Sequence, residues 1–405
     1  MAYIRRLPSG LYQATVRMPN GKRTTKTNKL KSKVEKWAKA LEAQFDQGDI
    51  RDPKAGEIKV KAWHERVTAA RVIEAPTKAK NASLWNTHCK DRWGDWPMQA
   101  IQRVDAQAWV GDLQETRRAR HRGRPASAFD DADEIPFISA ATIHDIVHIM
   151  TGLYKAAMKE HPPIVLVNPF LDLELPKRSA TAIDFYEPDE IAALYAALER
   201  LHGPKWRTLV ELGMDVGLRP GEVYGLHGHR VDWIRGKLSV VEVATRDGIR
   251  EYPKSMKSNR TVPIPPQTLE RMSLLMQGRP REALVFTAPG GGSVDDGDFR
   301  NRVWYPAVEA ARLCGHRSPS EAADGDVFVE GECGEICDAP AHRIRRFPPR
   351  ITRHTAASRL VQDGVPLYDV QALLGHESFE TTQRYAHLAP DAHEKVTASW
   401  SRRTS

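Results

Sequence analysis

The spacing of apolar positions changes several times along the chain, and each change marks a unit. Leu11-Tyr12-Gln13-Ala14-Thr15-Val16-Arg17-Met18 alternates in part and is rich in strand formers. Pro19-Asn20-Gly21 supplies a turn, and residues 22–29 return as a second strand with threonines. Ser32 and Glu35 match a capping box, after which Val34, Trp37, Ala38, Leu41 and Phe45 recur at helical spacing. Residues 1–50 therefore predict a small antiparallel sheet backed by one helix. Gly48, Pro53 and Gly56 make 46–57 a linker. From about 60 to 178 the pattern is helical, opened by Trp63, Val67 and Ala70 and continued at 104–110 and 143–158. Pro169 and Pro176 mark a second linker, and Glu187-Pro188-Asp189-Glu190-Ile191 starts a mainly helical region running to residue 405. Strands are expected inside it at 237–243 and 260–264. The fold class predicted is mainly α with small β elements.

At 405 residues the chain exceeds one ordinary core, so two or three domains are expected. With 41% hydrophobic and 28% charged residues it reads as soluble and globular. It holds no apolar run of about 18 residues, which excludes a helical membrane span. The first residues lack the apolar stretch of a signal peptide, and four cysteines do not make a disulfide framework. A reducing cytoplasm is the expected compartment. The net charge of +8 points weakly to a polyanion, but its placement says more. Residues 1–50 carry eleven Lys/Arg against four Asp/Glu. Arg17, Lys22, Arg23 and Lys26 would project from the strands toward a nucleic-acid groove. Arg117, Arg118, Arg120, Arg122 and Arg124 precede Asp130, Asp131, Asp133 and Glu134, which predicts a mobile loop. Contact with DNA and a self-neutralising solvated role are both open to that loop.

Four stretches carry candidate chemistry. In Gly217-Leu218-Arg219-Pro220-Gly221-Glu222-Val223, Gly217 suits a helix end, and Pro220 and Glu222 suit the first turn of the next helix. Arg219 is then held at a helix start, where a phosphate is well received. Pro253-Lys254-Ser255-Met256-Lys257 reads as a basic hairpin tip, and Lys254 there could protonate a leaving oxygen. In Arg350-Ile351-Thr352-Arg353-His354-Thr355, the i,i+3 spacing would put Arg350 and Arg353 on one helix face, where like charges repel unless an anion lies between them. Lastly, Gly375 stops the helix of residues 367–374, Ser378 can cap a short helix, and Tyr385 follows nine residues after His376. A tyrosine hydroxyl titrates near ~10 and needs cations and a base to attack a phosphodiester.

Together, Gly-Leu-Arg-Pro-Gly-Glu-Val, Arg-His-Thr-Ala-Ala-Ser, Leu-Leu-Gly-His and Thr-Thr-Gln-Arg-Tyr-Ala-His-Leu resemble the tyrosine recombinases, the integrase family of phages and mobile elements. The resemblance implies an N-terminal three-stranded sheet plus helix at 1–50 as an arm-type DNA-binding domain. It implies a helical core-binding domain at 57–178 and a mixed α/β catalytic domain with a C-terminal tail at 179–405. Arg219 and Arg353 would clamp the scissile phosphate, Lys254 would be the general acid, Glu222 would orient the site, His376 would hydrogen-bond the phosphate and Tyr385 would attack. The function implied is site-specific recombination through a 3′-phosphotyrosine, integrating or excising a phage or mobile element. A homotetramer on core and arm attachment sites, accessory host or directionality factors, a bacterial cytoplasm and no catalytic cofactor come with it. A relaxing topoisomerase and a DNA-binding protein without catalysis share parts of the pattern. One position departs from the family. Arg350 stands where a histidine is usual, so its role should be electrostatic or exerted on the tyrosine pKa, and the base is open between His376 and water. His354 is expected to point to another helix face as a packing residue. Residues 396–400 would form a tail that docks on a neighbouring protomer, as family tails do, with a disordered tail as the alternative.

Cys314, His316, Cys333 and Cys337, with His342 nearby, also offer ligands for a structural zinc on an insertion. Reduced surface cysteines are the alternative.

Overall fold

The computed structural model describes residues 2–17, 21, 23–46, 55–118, 120–121, 124–125, 135–178, 183–251, 259–323, 325–390 and 400, with the side chains of 44–46, 120–121 and 124–125 left aside. The chain divides into two compact units, Met1–Ala180 and Thr181–Ser405.

The first unit opens with β1 (Ala2–Arg6), β2 (Tyr12–Arg17) and β3 (Arg23–Asn28), antiparallel in that order. Alternation puts Ala14 and Val16 of β2 on one face, where Val34, Ala38 and Leu41 of α1 (Lys31–Asp46) bury them. Arg17 pairs directly with Arg23 and both stay exposed. Two like charges side by side disfavour the sheet unless an anion lies across them. Lys26 departs from the expected arrangement. It pairs with buried Ala14 and so shares the helix-facing side, its Nζ 5.8 Å from the Trp37 ring. Lys22 lies outside the described residues. The capping box at Ser32 does not form, because α1 already starts at Lys31; Asn28 Oδ1 accepts the Leu30 N–H at 3.0 Å just before it.

The helical part comprises α2 (Val60–Ala70), α3 (Ala75–Leu84), α4 (Lys90–Trp93), α5 (Arg103–Gln114) and α6 (Ala140–Met158). Its core is aromatic, with Trp93 edge-on to Trp109 at 5.6 Å and to Phe170 at 5.8 Å. Two of its buried polar groups find backbone partners, Tyr154 Oη donating to the Met98 carbonyl at 2.8 Å and Trp63 Nε1 to that of Leu153 at 2.9 Å, whereas the indole N–H of Trp93 is buried without one. In the arginine-rich segment, β4 (Arg120–His121) and β5 (Arg124–Pro125) form a short hairpin. Arg117 is structural in part, donating to the Ile135 carbonyl at 2.7 Å and lying over the Phe137 ring, whereas Arg118 is exposed. Arg122, Asp130, Asp131, Asp133 and Glu134 lie outside the described residues. None of the described helices is long and apolar enough to cross a membrane.

The second unit is built on α7 (Pro188–His202), α8 (Pro204–Met214) and α9 (Pro220–Tyr224). These are followed by β6 (Val231–Asp232), β7 (Lys237–Val240), β8 (Glu242–Thr245), β9 (Gly248–Glu251) and β10 (Arg260–Pro263). The remaining helices are α10 (Pro266–Met276), α11 (Asp296–Phe299), α12 (Tyr305–Ala310), α13 (Ile351–Gln362), α14 (Leu367–Leu374) and α15 (Phe379–Gln383). The single strand expected over 237–243 is broken. Strand β7 pairs with β6 and β10, whereas β8 turns away to pair with β9. Two glycines of the α9 segment show why: a Cβ at Gly221 would lie 2.9 Å from the Ala244 oxygen, and one at Gly225 2.8 Å from the Ala244 nitrogen. The β8 backbone therefore packs directly on that helix. On the other side, α8 meets α13 just as closely, since a Cβ at Gly213 would come within 2.6 Å of Thr352 Oγ1. A separate apolar cluster joins Ala357 and Val361 of α13, Val370 and Leu374 of α14, and Tyr385. Lys254 and residues 396–399 lie outside the described residues; Trp400 is exposed.

Candidate active site

Glu222 is the hub of the site. Helix α9 starts at Pro220, so Glu222 reaches back to accept the Arg219 N–H at 2.9 Å and Arg219 Nη1 at 2.8 Å. Arg260, at the start of β10, adds Nη1 at 3.2 Å and Nη2 at 2.9 Å and donates Nε to the Leu373 carbonyl at 2.7 Å. The Glu222 side chain is fully buried, Arg260 is 7% exposed and Arg219 37% exposed. Burial alone would raise the Glu222 carboxyl, yet Arg260 and Arg219 hold it below the usual carboxylate range. Arg219 is thus fixed on one side and open on the other. Arg260 was not singled out in the sequence; its only local signal is an arginine beginning a strand just after a basic tip.

Arg353, on α13, ties two loops together. Its Nη1 donates to the Gly217 carbonyl at 2.7 Å and its Nη2 to the Leu374 carbonyl at 2.6 Å. Burial, then the neighbouring Arg219 and Arg260 guanidinium groups, push Arg353 down to about 9, so it stays charged at neutral pH. Three guanidinium groups thus gather about the carboxylate of Glu222, an arrangement suited to an anion. The loops that carry the carbonyls turn on glycines in left-handed backbone, Gly217 at φ 75° and Gly375 at φ 66°. Gly375 also lets Arg260 lie against the backbone, since a Cβ there would be 3.0 Å from Arg260 Cδ. His376 follows, nearly buried, with Nδ1 2.8 Å from Thr382 Oγ1. Burial, then Arg353 and Arg219, push its imidazole down to about 4, so it is neutral at pH 7.

Ser378 caps α15 by accepting the Glu380 N–H at 3.2 Å, and the chain then delivers Tyr385 into the α13–α14 cluster, 2% exposed. Its hydroxyl is 2.7 Å from Nδ1 of His354. His354 is therefore no mere packing residue: it faces the tyrosine, one step round α13 from Arg353. Arg350 differs from expectation too. It sits at the N-cap of α13 with its backbone already helical, but its side chain is exposed, so it is not the buried partner expected beside Arg353. Nor does it lower the pKa of Tyr385. Burial raises that hydroxyl, opposed by Arg353 and Arg384. His354 is lowered by burial first, and then by Arg384, Arg350 and Arg353.

At 314–342 the structure gathers Cys314, Cys333, Cys337 and His342, their ligand atoms all within 4.8 Å of one another. This changes the expected ligand set. His342, not His316, completes the four, and His316 Nδ1 instead lies 3.4 Å from Cys333 Sγ at the edge of the cluster. Buried Cys337 is held from behind, its carbonyl accepting Arg312 Nε at 2.9 Å.

Residues 334–392 match the phage integrase family. The tyrosine recombinase XerC of Bacillus pumilus (strain SAFR-032) is 25% identical over 262 residues, covering 64% of this chain and 74% of that protein. Among solved structures, the Tn1549 transposon integrase in complex with transposon right end DNA superposes with a TM-score of 0.61 at 16% identity, covering 86% of this chain and all of that one. A lambda integrase tetramer bound to a Holliday junction gives 0.50 at 17% identity, over 94% of this chain and 95% of that one. At such identities the two structures speak for the fold.

Proposed function

The chain belongs to the tyrosine recombinase family, site-specific enzymes that break and rejoin DNA, and from that premise we propose that it is the integrase of a phage or other mobile element, acting through Tyr385. The observation that carries the roles is the gathering of Arg219, Arg353 and His376 about Glu222 and Tyr385. Arg219 and Arg353 hold the scissile phosphate and stabilise its pentacoordinate transition state by fixed charge. His376 is neutral, and in the tautomer whose Nδ1 accepts from Thr382 its Nε2–H is left for a phosphate oxygen. Glu222 positions Arg219. Tyr385 attacks phosphorus, forming a 3′-phosphotyrosine and releasing a 5′-hydroxyl that takes a proton from Lys254. The 5′-hydroxyl of the partner strand then reverses the step. The bond energy stays in the phosphotyrosine, and tyrosine recombinases need no cofactor for this chemistry.

Two exchanges require four such sites, so the active form is a homotetramer on DNA, in the cytoplasm, with accessory or directionality factors choosing the direction. Residues 57–178 would grip the core site, with Arg118 toward the backbone, and 1–50 a separate arm site through Arg17, Lys22 and Arg23. The exposed, cross-strand Arg17 and Arg23 support that assignment, which a recombinase confined to chromosome resolution would not need. In a two-plasmid assay carrying the sequences that flank the gene, recombinant junctions are expected without ATP or added Mg²⁺. Relaxation of supercoils without exchange, or exchange only at a chromosomal resolution site, would overturn the mobile-element reading.

The Cys314, Cys333, Cys337 and His342 cluster fits a structural zinc, since three thiolates and one imidazole close a tetrahedral site. The purified protein should carry one zinc per chain, and Cys337→Ser should lose it and melt several degrees lower. Equal metal content in the two proteins would sink this assignment.

A further inference from the structure

We propose that His354 is the proton acceptor for Tyr385, the part that Arg350 cannot play. The inference rests on Tyr385 being the nucleophile. Its geometry is direct: Nδ1 of His354 lies 2.7 Å from the tyrosine hydroxyl, within the reach that proton transfer needs. The other groups at hand fit less well. A guanidinium at Arg350 has no site for a proton, and it lies on the exposed residue ahead of α13. The Nδ1 of His376 is engaged by Thr382. Water has poor access to a tyrosine that is 2% exposed.

The surroundings suit a neutral imidazole. Arg350 and Arg353 face His354 from its own helix and its start, and Arg384 and His376 face it from the segment that carries Tyr385. With burial, these groups keep the ring unprotonated before DNA arrives. Accepting a proton through Nδ1 requires the hydrogen on Nε2. As the Tyr385 Oη–phosphorus bond forms, the phenol proton passes to Nδ1. The bond from phosphorus to the 5′-oxygen breaks, and that oxygen leaves with a proton from the general acid. Rejoining reverses each transfer, and His354 returns the proton to Oη. The phosphate itself helps. Its negative charge offsets the surrounding arginines, so proton affinity rises at His354 when the substrate is seated.

The test is single-turnover trapping on a nicked suicide duplex carrying the attachment sequence, followed against pH. For wild type, adduct formation should rise with pH and level off once His354 is neutral. His354→Ala should bind the duplex normally and react about 10²–10⁴-fold more slowly at pH 7. Its rate should keep rising with pH, since the tyrosine hydroxyl is held above its ordinary pKa, and added imidazole should restore part of it. His354→Asn retains an acceptor for the hydroxyl hydrogen bond but cannot take up a proton, and should be as slow. Rescue by asparagine would make His354 a positioning residue, and a wild-type or faster rate in the alanine variant would make the contact a resting one; either overturns the proposal. If wild type traps no adduct, or Tyr385→Phe still does, the nucleophile assignment fails instead.

Discussion

Replacing Tyr385 by phenylalanine is expected to abolish covalent capture of DNA while leaving the fold and DNA affinity close to wild type. The ring is a core residue, packed with Ala357, Val361, Val370 and Leu374, and phenylalanine fills the same space. What disappears is the hydroxyl and its bond to His354, a net loss of about 0.5–1.5 kcal/mol. That cost falls within the stability margin of a unit this size. The chemical cost is total, because no other oxygen is offered at that point. Burial holds the hydroxyl above its ordinary pKa, so it enters the reaction as a phenol and depends on proton removal. On denaturing gels of a suicide-duplex reaction, the variant should show no protein–DNA band while gel shifts remain. A residual adduct would place the nucleophile elsewhere.

Glu222→Ala should produce the second large effect, on stability and activity together. The carboxylate accepts both guanidinium groups of its neighbours from a fully buried position, and removal takes from Arg260, 7% exposed, the carboxylate that balances its charge. Breaking one side of such a buried pair costs about 3–5 kcal/mol. For a unit of this length, that corresponds to roughly 10 °C in Tm. Arg219 also loses the contacts that aim its open side, so adduct formation should fall at least ~10²-fold even at temperatures where the variant is folded. Glu222→Gln keeps the shape and one acceptor and should fall between. A Tm within a degree or two of wild type would contradict the central place given to this carboxylate.

Much of this site is local, and that part was readable. The Gly217–Pro220–Glu222 turn, the stop at Gly375 and the cap at Ser378 each follow from the backbone preferences of the residues that form them. Strands β2 and β3 with their helix and the mainly helical remainder followed in the same way, whereas the third strand, β1, was implied only by the family resemblance. What was lost depends on pairing across distance or on which way a side chain faces. Arg260 meets Glu222 from 38 positions away, and no spacing rule announces it. The i,i+3 argument put Arg350 on the buried side beside Arg353, yet at the N-cap of α13 its side chain stays exposed, which spacing alone does not decide. His354 was passed over because helical periodicity cannot say where Tyr385 returns. His342 displaces His316 from the metal cluster because ligand choice follows the turns between Cys333 and His342, which cysteine spacing leaves open. Lys26 crossed to the helix side because pairing opposite Ala14, not charge, decides the face of a strand.

The most direct measurement isolates the covalent adduct, digests protein and DNA, and identifies the nucleotide-bearing peptide by mass spectrometry. The account predicts a 3′-phosphate ester on the tyrosine of the peptide containing Thr382, Arg384 and Tyr385. An ester on another residue, a 5′ linkage, or no covalent species from a duplex that the enzyme demonstrably recombines would contradict it.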